Sequence, residues 1–76
     1  MALSVLDLKG IAVSGGGMIL DARQFTALDL NSIAASASGK KAQIVLKNLQ
    51  GKSALDLKGI AASGNGCVVF DFTEPT

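Results

Sequence analysis

The chain has 76 residues, 49% hydrophobic and only 17% charged, which makes one small domain (1–76) with more apolar surface than its own core absorbs. A net charge of +1 gives no global electrostatic case for nucleic acid or an anionic membrane, and one cysteine excludes an internal disulfide framework. No apolar run approaches the ~20 residues that cross a bilayer. The first apolar stretch is broken by Asp7 and Lys9 with no basic region before it, unlike a secretory signal, and a cytoplasmic, reducing setting is expected from the single Cys67.

One pattern occurs three times along the chain. Leu6-Asp7-Leu8-Lys9-Gly10-Ile11-Ala12, Leu28-Asp29-Leu30-Asn31-Ser32-Ile33-Ala34 and Leu55-Asp56-Leu57-Lys58-Gly59-Ile60-Ala61 are each followed by a break of small residues and an apolar run. Recurrence on this scale predicts a stacked array of units at about 4–22, 26–48 and 53–72, none of which buries its apolar face alone.

The first unit opens with Ser4 three residues before Asp7, and Thr26/Asp29 and Ser53/Asp56 repeat that spacing. A hydroxyl that accepts from free amides, with an acid near the positive end of the helix dipole, marks a helix start. Leu3 with Leu8 and Phe25 with Leu30 add hydrophobic staples, and Gly15, Gly39 and Gly64 stand where left-handed C-terminal caps are wanted. Helices are expected over about 5–14, 27–38 and 54–63. Leu30, Ile33, Ala34 and Ala37 form one helical face, which Leu8, Ile11 and Ala12 and then Leu57, Ile60 and Ala61 reproduce.

The β-branched runs bounded by glycine read as strands over about 18–22, 43–48 and 67–72. Alternation and charge placement give inward rows Met18–Ile44–Val68, Leu20–Leu46–Phe70 and Ala22–Asn48–Phe72. The outward rows are Ile19–Val45–Val69 and Asp21–Lys47–Asp71, the last alternating in sign across parallel neighbours. Helix–strand units joined by right-handed crossovers predict an α/β domain with a three-stranded parallel sheet, order 1-2-3, and its helices on one face. The layout resembles a miniature leucine-rich-repeat-like α/β solenoid. It departs from that family at the asparagine ladder, because Asn48 stands in register with Ala22 and Phe72. No functional residue is carried over.

Catalytic and metal chemistry find little to build on. There is no histidine, tyrosine or tryptophan, and Asp7, Asp29 and Asp56 serve caps while Asp21 and Asp71 belong to the charge row, leaving Glu74. No enzyme activity, cofactor or metal is expected. Gly51-Lys52-Ser53 lacks the earlier glycine of a phosphate loop, whose place is taken by Leu46, and reads as a turn followed by a cap. The glycine clusters Gly15-Gly16-Gly17 and Gly64-Asn65-Gly66 follow helices, the reverse of a dinucleotide loop. Cys67 is read as packed or interfacial at an outward strand position, with no activating base beside it.

Two readings of function remain. Leu6, Gly10 and Val13, with their equivalents Leu28, Ser32, Ala35 and Leu55, Gly59, Ala62, place leucine and small residues on the helix face opposite the core. The third strand, with Val68, Val69, Phe70 and Phe72, is a strongly β-forming edge. These residues predict a non-enzymatic interaction or self-assembly module whose partner is itself or another protein; as an assembly it is a closed homodimer or higher oligomer, joined at the third-strand edge in preference to the Leu6/Leu28/Leu55 surface. The competing reading is a nucleic-acid or anion-binding protein using Lys40, Lys41, Lys47, Lys52 and Lys58, although no aromatic residue is interleaved to stack bases.

Overall fold

A computed structural model describes residues 4–73. Helices begin where the hydroxyl–carboxylate pairs are: α1 spans Val5–Val13, α2 Ala27–Ser38 and α3 Ala54–Gly64. At each start the two groups exchange hydrogen bonds. The Asp7, Asp29 and Asp56 amides donate to the Ser4, Thr26 and Ser53 hydroxyls at 3.2, 3.1 and 3.1 Å. In return the three carboxylates accept from the cap residues' own amides at 3.0, 3.3 and 3.4 Å. Thr26→Ala removes one such acceptor from the central helix, and a loss of about 1 kcal/mol is expected in urea denaturation. Unchanged stability would deny the cap its role. The proposed Leu3 staple lies outside the described residues, while Phe25 packs half-buried against the core that contains Leu30.

The helix ends depart from expectation at two of three glycines. Gly15 closes α1 at φ +96°, with the Gly16 amide donating back to the Ile11 carbonyl at 2.9 Å, the bond of a left-handed cap. In α2 the winding runs on through Gly39, at φ −66°, and the left-handed residue is Lys41 at φ 56°. The reason is the Ala42 amide, which donates to the Ala37 carbonyl at 3.1 Å and brings buried Ala42 under the helix. In α3 the cap falls on Asn65, at φ 50°, and Gly64 remains helical. A Cβ at Gly64 would collide with the Val68 side chain and stand 3.4 Å from the Ala34 Cβ. That glycine serves packing rather than chain reversal.

Strands β1 (Met18–Asp21), β2 (Ile44–Lys47) and β3 (Val68–Phe70) form a parallel sheet in the order β1-β2-β3. Its register is that of the hydrophobic rows: Met18, Ile44 and Val68 align, then Ile19, Val45 and Val69, then Leu20, Leu46 and Phe70. The expected row Ala22–Asn48–Phe72 does not form, because local turn chemistry ends the strands first. The Asp21 carboxylate accepts from the Arg23 amide at 3.0 Å and caps a 3-10 turn over Ala22–Gln24. Asn48 takes φ 59°, and the Asp71 carboxylate accepts from the Thr73 amide at 2.9 Å.

The core lies between the sheet and the helices, with α2 in the middle against both α1 and α3. Leu30, Ile33, Ala34 and Ala37 of α2 are all buried, as are Leu20, Ile44 and Leu46 beneath them. The outer helices are covered on one flank only. Leu8 and Ala12 are buried while Ile11 is exposed, and Ile60 is buried while Leu57 is half-buried and Ala61 exposed. The three helical faces are therefore unequal, contrary to the expectation from pattern alone. Among the described residues no helix covers the opposite face of the sheet, where Ile19 and Val69 are exposed.

Candidate functional site

A parallel sheet normally has both faces covered. Here the outward row is Ile19–Val45–Val69, with Ile19 71% and Val69 41% exposed. An open depression beside it is lined by Gly17, Met18, Ile19, Gln43 and Val45. Of the candidate third-strand residues, only Val69 belongs to this face. Val68 and Phe70 turn inward and pack half-buried against the core, so what they offer at the edge is backbone. Phe72 lies past the strand, exposed, its ring stacked on Phe70 at a centroid distance of 6.1 Å.

Leu6, Leu28 and Leu55 form the second apolar surface. Each is the second residue of its helix, and they are 75%, 75% and 77% exposed. The three helices lie side by side, so these leucines share the end of the domain at which the strands finish. A solvated first helical turn favours polar and acidic residues. Leucine stands there in all three helices, outside the buried core.

The lysines do not gather. Lys40 and Lys41 precede β2, whereas Lys47 ends it and Lys52 follows, placing the pairs at opposite ends of the sheet. Lys58 is exposed on α3. Lys52 has a structural contact: its Nζ donates to the Ala22 carbonyl at 2.9 Å and ties the β2–α3 loop to the turn after β1. Gly51-Lys52-Ser53 is accordingly a turn, a tether and a cap, with Ser53 capping α3.

The carboxylates are engaged locally. Asp7, Asp29 and Asp56 sit in the helix caps. In the charge row Asp21 stands opposite Lys47, but its principal partner is Arg23, whose Nη2 lies 3.0 Å from Oδ2. Side-chain and then backbone hydrogen bonds from Arg23 bring the Asp21 pKa from 3.8 to about 2. Asp71 is lowered as well, first by the Thr73 hydroxyl and then by the Thr73 amide, with Lys47 adding a smaller attraction. Both carboxyls favour the folded state when ionised, so their contribution is complete above the unfolded value of 3.8 and is lost as pH falls through the folded values. Chemical denaturation should show stability declining from about pH 4 toward pH 2. Asp21→Asn should flatten that decline, and an equally steep profile in the variant would contradict the assignment.

Cys67 is buried immediately before β3, not outward as its place in the pattern implied. Its amide donates to the Gly64 carbonyl at 3.0 Å and its carbonyl accepts from the Ile44 amide at 2.8 Å, which holds the turn beneath α3. Among the described residues no group of three or more His, Cys, Asp or Glu is placed to hold a metal ion, and no helix is long and apolar enough to cross a membrane. No family model, curated protein or solved structure matches the chain.

Sequence reasoning missed the openness of the sheet face as a surface in its own right. The signal was present in the Ile19–Val45–Val69 row, which is apolar where an exposed face calls for polar residues.

Proposed function

We propose that the chain is a non-enzymatic self-assembly module built as an array of three helix–strand units, leucine-rich-repeat-like in layout and suited to a cytoplasmic setting. The observation that carries this reading is the exposure of large apolar side chains on the sheet face and along the helix starts of so small a domain. The engagement of each described carboxylate in a cap or turn supports a structural role for the acidic residues. A buried free thiol suits a reducing compartment.

The third-strand region is the preferred contact and the Leu6/Leu28/Leu55 surface the other. Val69→Lys and Leu28→Lys, compared by solution mass, separate them: the substitution that releases folded monomer marks the contact. If neither does, neither the Val69 nor the Leu28 side chain lies in the contact. The anion-binding alternative predicts that mixed oligonucleotides bind with an affinity falling steeply as salt rises. It also predicts that Lys41→Glu and Lys52→Glu abolish binding. The self-assembly reading predicts no such binding and unchanged oligomerisation in the Lys41 variant.

A further inference from the structure

Corresponding positions in the three helices differ in exposure, and the difference has a direction. Ile33 and Ile60 are 0% exposed, whereas their counterpart Ile11 is 38% exposed. One turn later Ser36 and Ser63 are partly covered while Ser14 is exposed. The other flank runs the opposite way. Ala12 and Ala34 are buried and Ala61 is exposed; Lys9 and Asn31 are partly covered and Lys58 is exposed.

Contacts between α2 and α3 explain the direction. Gly64 lies against Ala34, and the Ser63 hydroxyl donates to Asn31 Oδ1 at 3.5 Å. The isoleucine–serine flank of one helix is thus covered by the helix before it, and the alanine flank by the helix after it. At one end of the domain, among the described residues, no helix covers the Ile11/Ser14 flank, where only the Gly16 turn lies against Ile11; at the other end no helix covers the Lys58/Ala61 flank. These are the two halves of a contact that the chain makes twice internally.

The backbone has the same polarity. The Met18 amide donates to the Gln43 carbonyl at 2.9 Å, and the Ile44 amide to the Cys67 carbonyl at 2.8 Å, each inward residue bonding toward the following strand. In β3 the Asp71 amide donates to the Leu46 carbonyl, so alternation leaves Val68 and Phe70 to face the outer edge. On the outer edge of β1, Gly17 stands where Gln43 and Cys67 stand in the other two units.

We infer that copies of this chain join head to tail, the β3/α3 end of one seated on the β1/α1 end of the next. The register is the internal one: Val68 opposite Met18, Val69 opposite Ile19, Phe70 opposite Leu20. The inference rests on the array reading proposed above and identifies its partner as a second copy, because the surface each end lacks is the one at the other end. It also replaces a closed dimer with a heterologous joint. Two β3 edges related by a two-fold axis would run antiparallel and bring two Lys58/Ala61 flanks together, reproducing neither internal contact. A heterologous joint repeats, so assembly proceeds beyond the dimer as concentration rises.

Ile11→Lys and Ala61→Lys test this separately and mixed, by sedimentation velocity, with circular dichroism confirming the fold. Each places a charge in the joint from an exposed position, and each alone should be monomeric, with the apparent Kd raised about a hundredfold or more. Each variant keeps one intact end. An equimolar mixture should therefore form a 1:1 pair and nothing larger. Should Ile11→Lys lose its fold, Ser14→Arg on the same flank takes its place. Assembly of either variant at wild-type affinity, or a mixture that stays monomeric, overturns the head-to-tail joint while leaving self-association standing. A wild-type chain that is itself monomeric overturns the self-assembly reading instead.

Discussion

Ile33→Ala is expected to leave much of the protein unfolded at room temperature. Ile33 is fully buried on the central helix, which has a helix on either side and faces the sheet. Truncation of a large aliphatic side chain at such a site costs about 2–5 kcal/mol, from lost transfer energy and from the cavity left behind. A domain of this size has net stability of only about 3–5 kcal/mol. The corresponding change at Ile11, partly exposed on α1, should cost far less, though that isoleucine occupies the same place in the sequence pattern. Thermal denaturation of the two variants checks the contrast. Equal losses would mean that the outer and central helices are covered alike, contrary to the structure.

Gly64→Ala should destabilise by about 1–3 kcal/mol, whereas Gly59→Ala on the same helix should stabilise. Alanine has the better helix propensity at both positions, by about 1 kcal/mol. Space decides the sign. At Gly59 the nearest atom to an added Cβ is Asn31 Oδ1 at 3.8 Å, an ordinary contact. At Gly64 the methyl group meets Val68 and Ala34, and because Val68 is fixed in β3, relief requires α3 to move off the sheet. Urea denaturation of both variants reads the opposite signs. Stabilisation by Gly64→Ala would show that the glycine is no packing requirement.

Much of the fold is legible in local chemistry. The pairs Ser4/Asp7, Thr26/Asp29 and Ser53/Asp56 locate the helix starts because capping needs only residues three apart. The register follows from alternation, since a slip by one residue would turn Leu20 and Leu46 toward solvent. Features that depend on non-local contacts are not legible this way. Gly39 and Gly64 look like left-handed caps, yet the burial of Ala42 shifts one cap to Lys41, and the approach of Val68 reserves the other glycine for packing. The strand ends are set by the Asp21 and Asp71 side chains folding back on their own backbone, which hydrophobic pattern does not reveal. The lysines look clustered in sequence because the middle segment holds most of them, while the chain direction through β2 places them at opposite ends of the sheet.

The candidate site was half legible. Leu6, Leu28 and Leu55 were visible as apolar residues opposite the core stripe, and all three are exposed. Alternation places the Val68 and Phe70 side chains on the inward rows, and there they pack against the core, leaving their amides and carbonyls to the edge. The unequal flanks of α1 and α3 follow from position, since each packs against α2 on one side. Similar sequence patterns acquire different exposure according to which flank a neighbouring helix covers.

Sedimentation equilibrium of the wild-type chain across low to high micromolar concentration tests the self-assembly account most directly. The account predicts a weight-average mass that climbs above the monomer and continues past the dimer as concentration rises. A single ideal monomer throughout that range would contradict it.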